Sequence, residues 1–111
     1  MPSIRMSAAL VKVLEVLLED PQAERYGLDI MRATGCPSGT VYPILLRLHG
    51  TGWLEAHWED IDPAAVGRPA RRWYRLTPHG TASARADLAA YRERQAKARS
   101  GVTKPRPTWA S

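Results

Sequence analysis

Cys36-Pro37-Ser38-Gly39-Thr40-Val41-Tyr42-Pro43-Ile44-Leu45-Leu46-Arg47-Leu48-His49-Gly50 is the stretch on which the fold turns. Its first four residues favour a turn, and Ser38 is a residue type that caps helix N-termini. Val41, Leu45 and Leu48 then recur at helical spacing with Ile44 beside them, which predicts a helix to about His49 with one apolar face. Thr40 and Arg47 lie off that face, and Tyr42 and Pro43 sit near the same exposed side. Pro43 removes one backbone bond, a change that costs about 3 kcal/mol in a helix interior. It is therefore compensated in the first turns or serves the surface.

Upstream, residues 8–19 carry Leu10, Val13, Leu14, Leu17 and Leu18 at the spacing of a buried helical face. Ser7 is its expected cap, and Asp20-Pro21 ends it. A shorter helix is expected from about Arg25 to Thr34, with Leu28, Ile30 and Met31 as apolar residues and Gly35 suited to a left-handed C-terminal position. Downstream, Gly50-Thr51-Gly52 closes the third helix. Trp53 to Glu59 reads as a strand with Leu54, Ala56 and Trp58 on one side. Asp60 to Pro69 reads as a loop, and Arg71 to Leu76 as a second strand with Tyr74 and Leu76 on one face. Thr77-Pro78 is a strong helix start, predicting a helix to about Ala98 whose narrow stripe is Ala84, Leu88, Tyr91 and Gln95. From Ser100 periodicity stops, and a disordered basic tail containing Trp109 is expected.

Three helices followed by a two-stranded hairpin is the order of a winged helix-turn-helix. The expected fold is thus mainly α with a small β-hairpin. Residues 1–77 form the winged helix-turn-helix, 78–99 a C-terminal dimerisation helix and 100–111 the tail. A chain of 111 residues is the usual size for a single core. It is too short for a catalytic barrel or a two-domain cofactor enzyme. One cysteine, Cys36, excludes a disulfide-stapled domain. No apolar run has membrane-spanning length, and Lys12 and Glu15 interrupt the candidate signal region, so a cytoplasmic location is expected.

The net charge of +5 favours an anionic partner. Residues 1–67 contain five basic and nine acidic side chains, whereas residues 68–111 contain eleven basic and two acidic. Arginine outnumbers lysine thirteen to three, which suits bidentate contacts to phosphate or guanine. No constellation supports catalysis. His49, His57 and His79 lack metal-ligand spacing, the glycines at 50, 52, 67 and 80 read as turn residues rather than a phosphate cradle, and Asp60 and Asp62 read as solvated loop carboxylates.

Several segments carry a family resemblance. These are Tyr26-Gly27-Leu28-Asp29-Ile30, Ser38-Gly39-Thr40-Val41-Tyr42-Pro43 and its continuation to Leu48, Gly52-Trp53-Leu54-Glu55, and Gly67-Arg68-Pro69-Ala70-Arg71-Arg72-Trp73-Tyr74-Arg75-Leu76-Thr77-Pro78-His79-Gly80. From about Val11 to Tyr91 the chain resembles the PadR-like transcriptional regulators, with a single C-terminal helix as in the short subgroup. The resemblance implies a DNA-binding repressor, a homodimer in which that helix packs on the partner's first helix, and relief of repression by a small molecule or other signal. An effector at the dimer interface would change the separation of the two recognition helices.

On this reading the third helix enters the major groove of double-stranded DNA. Ser38, Thr40 and Tyr42 offer hydroxyls, although a serine in the position of Ser38 more often simply caps the helix. Pro43 offers a ring to a thymine methyl or the sugar backbone, and Arg47 a cation to phosphate. Arg68, Arg71 and Arg72 are expected at the wing, where arginines enter or follow the minor groove. Tyr26 either holds phosphate or packs beneath the third helix. The expected dimer interface is Leu10, Leu14, Ala84, Leu88 and Tyr91. The competing reading is a winged-helix interaction module that dimerises with or titrates another regulator without binding DNA.

Overall fold

A computed structural model describes residues 5–103. Helix α1 (Ala8–Glu19) is followed by a two-residue strand β1 (Arg25–Tyr26), α2 (Gly27–Thr34) and α3 (Ser38–Gly50). Strand β2 (Leu54–Trp58), a one-turn helix α4 (Pro63–Val66), β3 (Arg72–Leu76) and the long α5 (Pro78–Thr103) complete the order. No helix among the described residues is long and apolar enough to cross a membrane.

The helical faces read from the spacing are the buried ones. Leu10, Val13, Leu14, Leu17, Ile30, Val41, Ile44, Leu45 and Leu48 share a core with Trp53, Leu54, Tyr74, Leu76, Ala84 and Leu88. Ser7 caps α1 by accepting the Leu10 N–H, and Gly35 (φ 73°) closes α2 in the left-handed region. In the β2–β3 ladder, Leu54 faces Leu76, Ala56 faces Tyr74 and Trp58 faces Arg72 on one side, while Glu55 faces Arg75 and His57 faces Trp73 on the other.

The structure departs from the expected layout in five places. Arg25 and Tyr26 do not open α2. They pair antiparallel with Tyr74 and Trp73, so the sheet has three strands in the order β1-β3-β2. Ser38 is the first residue of α3 rather than its cap, because the Pro37 carbonyl already accepts the Thr40 and Val41 N–H groups. The loop after β2 contains α4, with Asp62 capping it by accepting the Ala64 N–H. Helix α5 runs to Thr103, into the stretch expected to be irregular. The rest of that tail, with Trp109, lies outside the described residues. Finally, Gly80 is not in a turn but in the first turn of α5, where a Cβ would collide with the Trp53 carbonyl.

Gly80 belongs to a junction that docks α5 on the domain. The Thr77 hydroxyl accepts the Gly80 N–H at 2.9 Å and donates to the Gly52 carbonyl at 2.7 Å. The Thr77 N–H donates to the Trp53 carbonyl at 2.9 Å, and the Trp53 N–H to the Leu48 carbonyl at 2.9 Å. Start of α5 and end of α3 are therefore linked through Trp53.

A second cluster fixes the wing. Glu59 accepts two bonds from the Arg68 guanidinium (2.7 and 3.1 Å), one from the Arg71 backbone N–H (2.8 Å) and one from the Tyr26 hydroxyl (2.9 Å). Arg68, and after it the Arg71 N–H and Tyr26, lower the Glu59 pKa to about 2. The same contact raises that of Tyr26.

Three outcomes are expected. Gly80→Ala should cost about 1–3 kcal/mol of unfolding free energy in urea. Gly39→Ala, whose Cβ would meet no heavy atom within 4 Å, should be neutral or stabilise by up to about 1 kcal/mol. Because Glu59 titrates lower folded than unfolded, its contribution is complete above about pH 4.5 and is lost as pH falls toward 2. Glu59→Gln should thus be less stable than the wild type near neutrality, with the gap closing across that window in urea titrations. Parallel stability curves would contradict the assignment.

Candidate nucleic-acid interface

Helix α3 divides cleanly into two sides. Val41, Ile44, Leu45 and Leu48 are buried, whereas Ser38, Gly39, Tyr42, Pro43, Leu46, Arg47, His49 and Gly50 are exposed. Both follow from the 3.6-residue period, which sets Gly39, Pro43, Leu46 and Gly50 along one line opposite the core. The helix carries no Asp or Glu, so nothing on it repels a polyanion. Pro43 leaves the Gly39 carbonyl without its helical donor, and Gly39 is exposed, so water can serve it.

The individual side chains differ in how far they are committed. Ser38 is exposed and its hydroxyl makes no hydrogen bond among the described residues, while Thr40 is half-buried. The Tyr42 ring lies over Gly27, where even a Cβ would clash with it, yet the residue remains 44% exposed. Gly27 thus permits the close approach of α2 and α3. Arg47 is exposed and has no carboxylate within ion-pair distance among the described residues. Leu46 is 72% exposed although it carries neither a hydroxyl nor a charge. Its signal was an apolar residue off the Val41-Leu45-Leu48 stripe.

The wing arginines do not act alike. Arg68 is held by Glu59, so its charge is largely neutralised at the wing base. The Arg72 guanidinium lies 5.3 Å from the centroid of the Trp58 ring, a cation–π contact on a 62%-exposed tryptophan. Arg71 is exposed, with its backbone tied to Glu59 and its side chain unpaired among the described residues. Tyr26 neither points to solvent as a free phosphate ligand nor lies beneath α3. It is turned into the Glu59 cluster.

The outer face of the hairpin is internally satisfied. Arg75 donates to Glu55 at 2.9 Å and lies 5.1 Å from the Trp73 centroid, and His57 stacks on Trp73 at 4.5 Å. Arg75, with His57 after it, holds the Glu55 carboxyl below its ordinary pKa. No group of three His, Cys, Asp or Glu side chains that could hold a metal occurs among the described residues.

Most of the residues expected at a subunit interface are packed within the single chain. Leu10, Leu14, Ala84 and Leu88 are at most 2% exposed within the single chain. Helix α5 packs on α1 of its own chain, so these side chains are already covered. Tyr91 is half-buried beneath Arg94, whose guanidinium lies 6.0 Å from its ring centroid. Residues 92–100 are exposed.

Comparison with known proteins agrees with this architecture. Solved structures of similar fold include BpsR of Bordetella bronchiseptica, described in a study of the regulation of its DNA binding by 6-hydroxynicotinic acid. It is 23% identical, with a TM-score of 0.65 over 95% of this chain and 73% of that one. A PadR-like transcription factor from Bacteroides fragilis is 24% identical, with a TM-score of 0.63 over 81% of this chain and 86% of that one. A PadR-like regulator from Bacillus cereus is 17% identical, with a TM-score of 0.64 over 86% and 92%. No curated protein matches the sequence. The model of the transcriptional regulator PadR-like family matches residues 13–86. With two-thirds of its length matched by that model, and the helix-turn-helix and wing in place, the chain belongs to the PadR-like family of transcriptional regulators.

Proposed function

We propose that the chain is a sequence-specific, dimeric repressor acting in the cytoplasm, which occludes its binding site on double-stranded DNA and is released by a small molecule or another signal. One observation carries the reading. Helix α3 buries one side completely and offers the other, without a single carboxylate, to solvent. Set in the major groove, that face presents Tyr42, Pro43, Leu46 and Arg47, with Ser38 and Thr40 at its N-terminal end. Arg71 supplies the freest wing cation, while Arg68 and Arg72 reach the backbone only by leaving Glu59 and Trp58. Tyr26 contributes by holding the wing base rather than by touching phosphate.

Two copies would meet through α5 beyond Leu88, along the half-buried Tyr91 and the exposed residues 92–100. The effector reading finds support in an open cleft of about 940 Å³ beside the base of α5. It is lined by Asp20, Gln22, Glu55, Arg75, Thr81 and Arg85, among other residues. Arg85 has no carboxylate partner among the described residues, so an anionic ligand would find a cation beside the helix proposed to join the subunits.

The competing reading, an interaction module, is favoured by the apolar exposure of Leu28 and Leu46 on the helix-turn-helix. Fluorescence anisotropy against upstream DNA and a scrambled duplex, at two salt concentrations, separates the two. Sequence-dependent binding with a steep salt slope is expected. Arg47→Ala should weaken binding and reduce the slope of log K against log salt by about 1. Equal weak binding to both duplexes would instead support the interaction module.

A further inference from the structure

Resting on the DNA-binding reading, we propose that Pro43 and Leu46 form an apolar reading patch for the 5-methyl groups of thymine, so that the operator half-site places thymines beneath the middle of α3. The two residues are i and i+3 neighbours, hence adjacent on the helix surface. They occupy the centre of the exposed face, with Tyr42 on one flank and Arg47 on the other. Leu46 is 72% exposed, the highest value among the exposed large apolar residues described. Neither side chain can donate or accept a hydrogen bond, and Pro43 lacks even its backbone N–H.

The centre of this helix face therefore has no means of matching the donors and acceptors of guanine, adenine or cytosine. The apolar feature among major-groove base edges is the thymine methyl group. The geometry allows a close approach. Gly39 and Gly50 lie on the same line as Pro43 and Leu46, one at each end, and the space where a Cβ would stand is empty at both. The helix can thus settle on the groove floor, with Pro43 and Leu46 as the side chains that meet it. Charge decides between DNA and a protein as the occupant. The face carries Arg47 and has no acid on its helix, and the wing and α2 add the exposed cations Arg71 and Arg32 elsewhere on the domain surface. A polyanion bearing methyl groups matches both the charge and the apolar centre.

The test starts from duplexes selected by the purified full chain from a pool with a randomised core. They are then resynthesised with uracil at individual thymines, which removes the 5-methyl group and keeps the pairing. At the thymines beneath α3, each lost methyl should weaken binding about fourfold, the equivalent of about 0.8 kcal/mol. Leu46→Ala, an exposed substitution whose helix content is checked by circular dichroism, should bind the thymine duplex less tightly and lose its sensitivity to uracil at the position it faced. Wild-type binding that is indifferent to uracil at every position would overturn the methyl-reading proposal and leave DNA binding standing. Failure to enrich any sequence would overturn the DNA-binding reading beneath it, and with it this inference. In that case the exposed Leu46 would belong to a protein contact.

Discussion

The burial of Val41, Ile44, Leu45 and Leu48 is the constraint from which the rest of the domain follows. These four side chains lie on one side of α3 and are at most 6% exposed, packed in the core that α1, α2, the sheet and α5 also enter. A helix has one rotational setting that buries such a stripe. Once it is set, the line from Gly39 through Pro43 and Leu46 to Gly50 must face outward. Which side of α3 is offered to solvent is thus specified by residues on its opposite, buried side. The same packing explains Gly27, since α2 can approach α3 closely only if nothing stands between it and the Tyr42 ring.

Electrostatics divides the wing into a fixed part and a free part. Glu59 gathers Tyr26, Arg68 and the Arg71 backbone, joining β1, the end of β2 and the segment entering β3. A carboxylate with four donors on it is stabilised as the anion, which is why it titrates so low. The consequence for function is selective. Charge counted along residues 68–72 suggests three equivalent arginines, but one is neutralised, one is stacked on Trp58 and one is free. Any phosphate that recruits Arg68 must compete with Glu59, so the wing base resists non-specific attraction more than its composition implies.

Which features could be read in advance depends on their range along the chain. The three-helix order, the hairpin and the Thr77 cap were legible because each is encoded within a few residues by spacing or turn chemistry. Strand β1 was not, because two residues cannot display an alternation and Gly27 begins a helix immediately afterwards. The Tyr26–Glu59 bond spans 33 residues and depends on β1 pairing with β3, so no local pattern announces it. Gly80 reads as punctuation, yet its reason is steric and lies in Trp53. Leu46 is inconspicuous in the sequence because hydroxyls and cations are the residue types that mark a polyanion-binding helix, whereas the exposed line of α3 is largely apolar. For the stripe of Ala84 and Leu88, periodicity shows that a face is to be covered and is silent on whether the same chain or another copy covers it.

Helix α5 is docked on the domain at its N-terminal end. At 26 residues it is about 39 Å long, and its first part is held by the core and the Thr77 junction. Between Tyr91 and Ser100 it carries no large apolar side chain, and a helix of that kind is marginal in water by itself. Its continuation draws on the docked part for nucleation and presents Tyr91 and a polar surface to whatever meets it. The docked end is joined to α3 without a gap. Thr77 holds Gly52 and Trp53, and Trp53 donates to Leu48 in the last turn of α3. Gly80 sits against the same Trp53 carbonyl with no room for a side chain. Rotating α5 must therefore either break this contact or carry the end of α3 with it. Any displacement of the base of α5 would reach the end of α3 through that one tryptophan backbone.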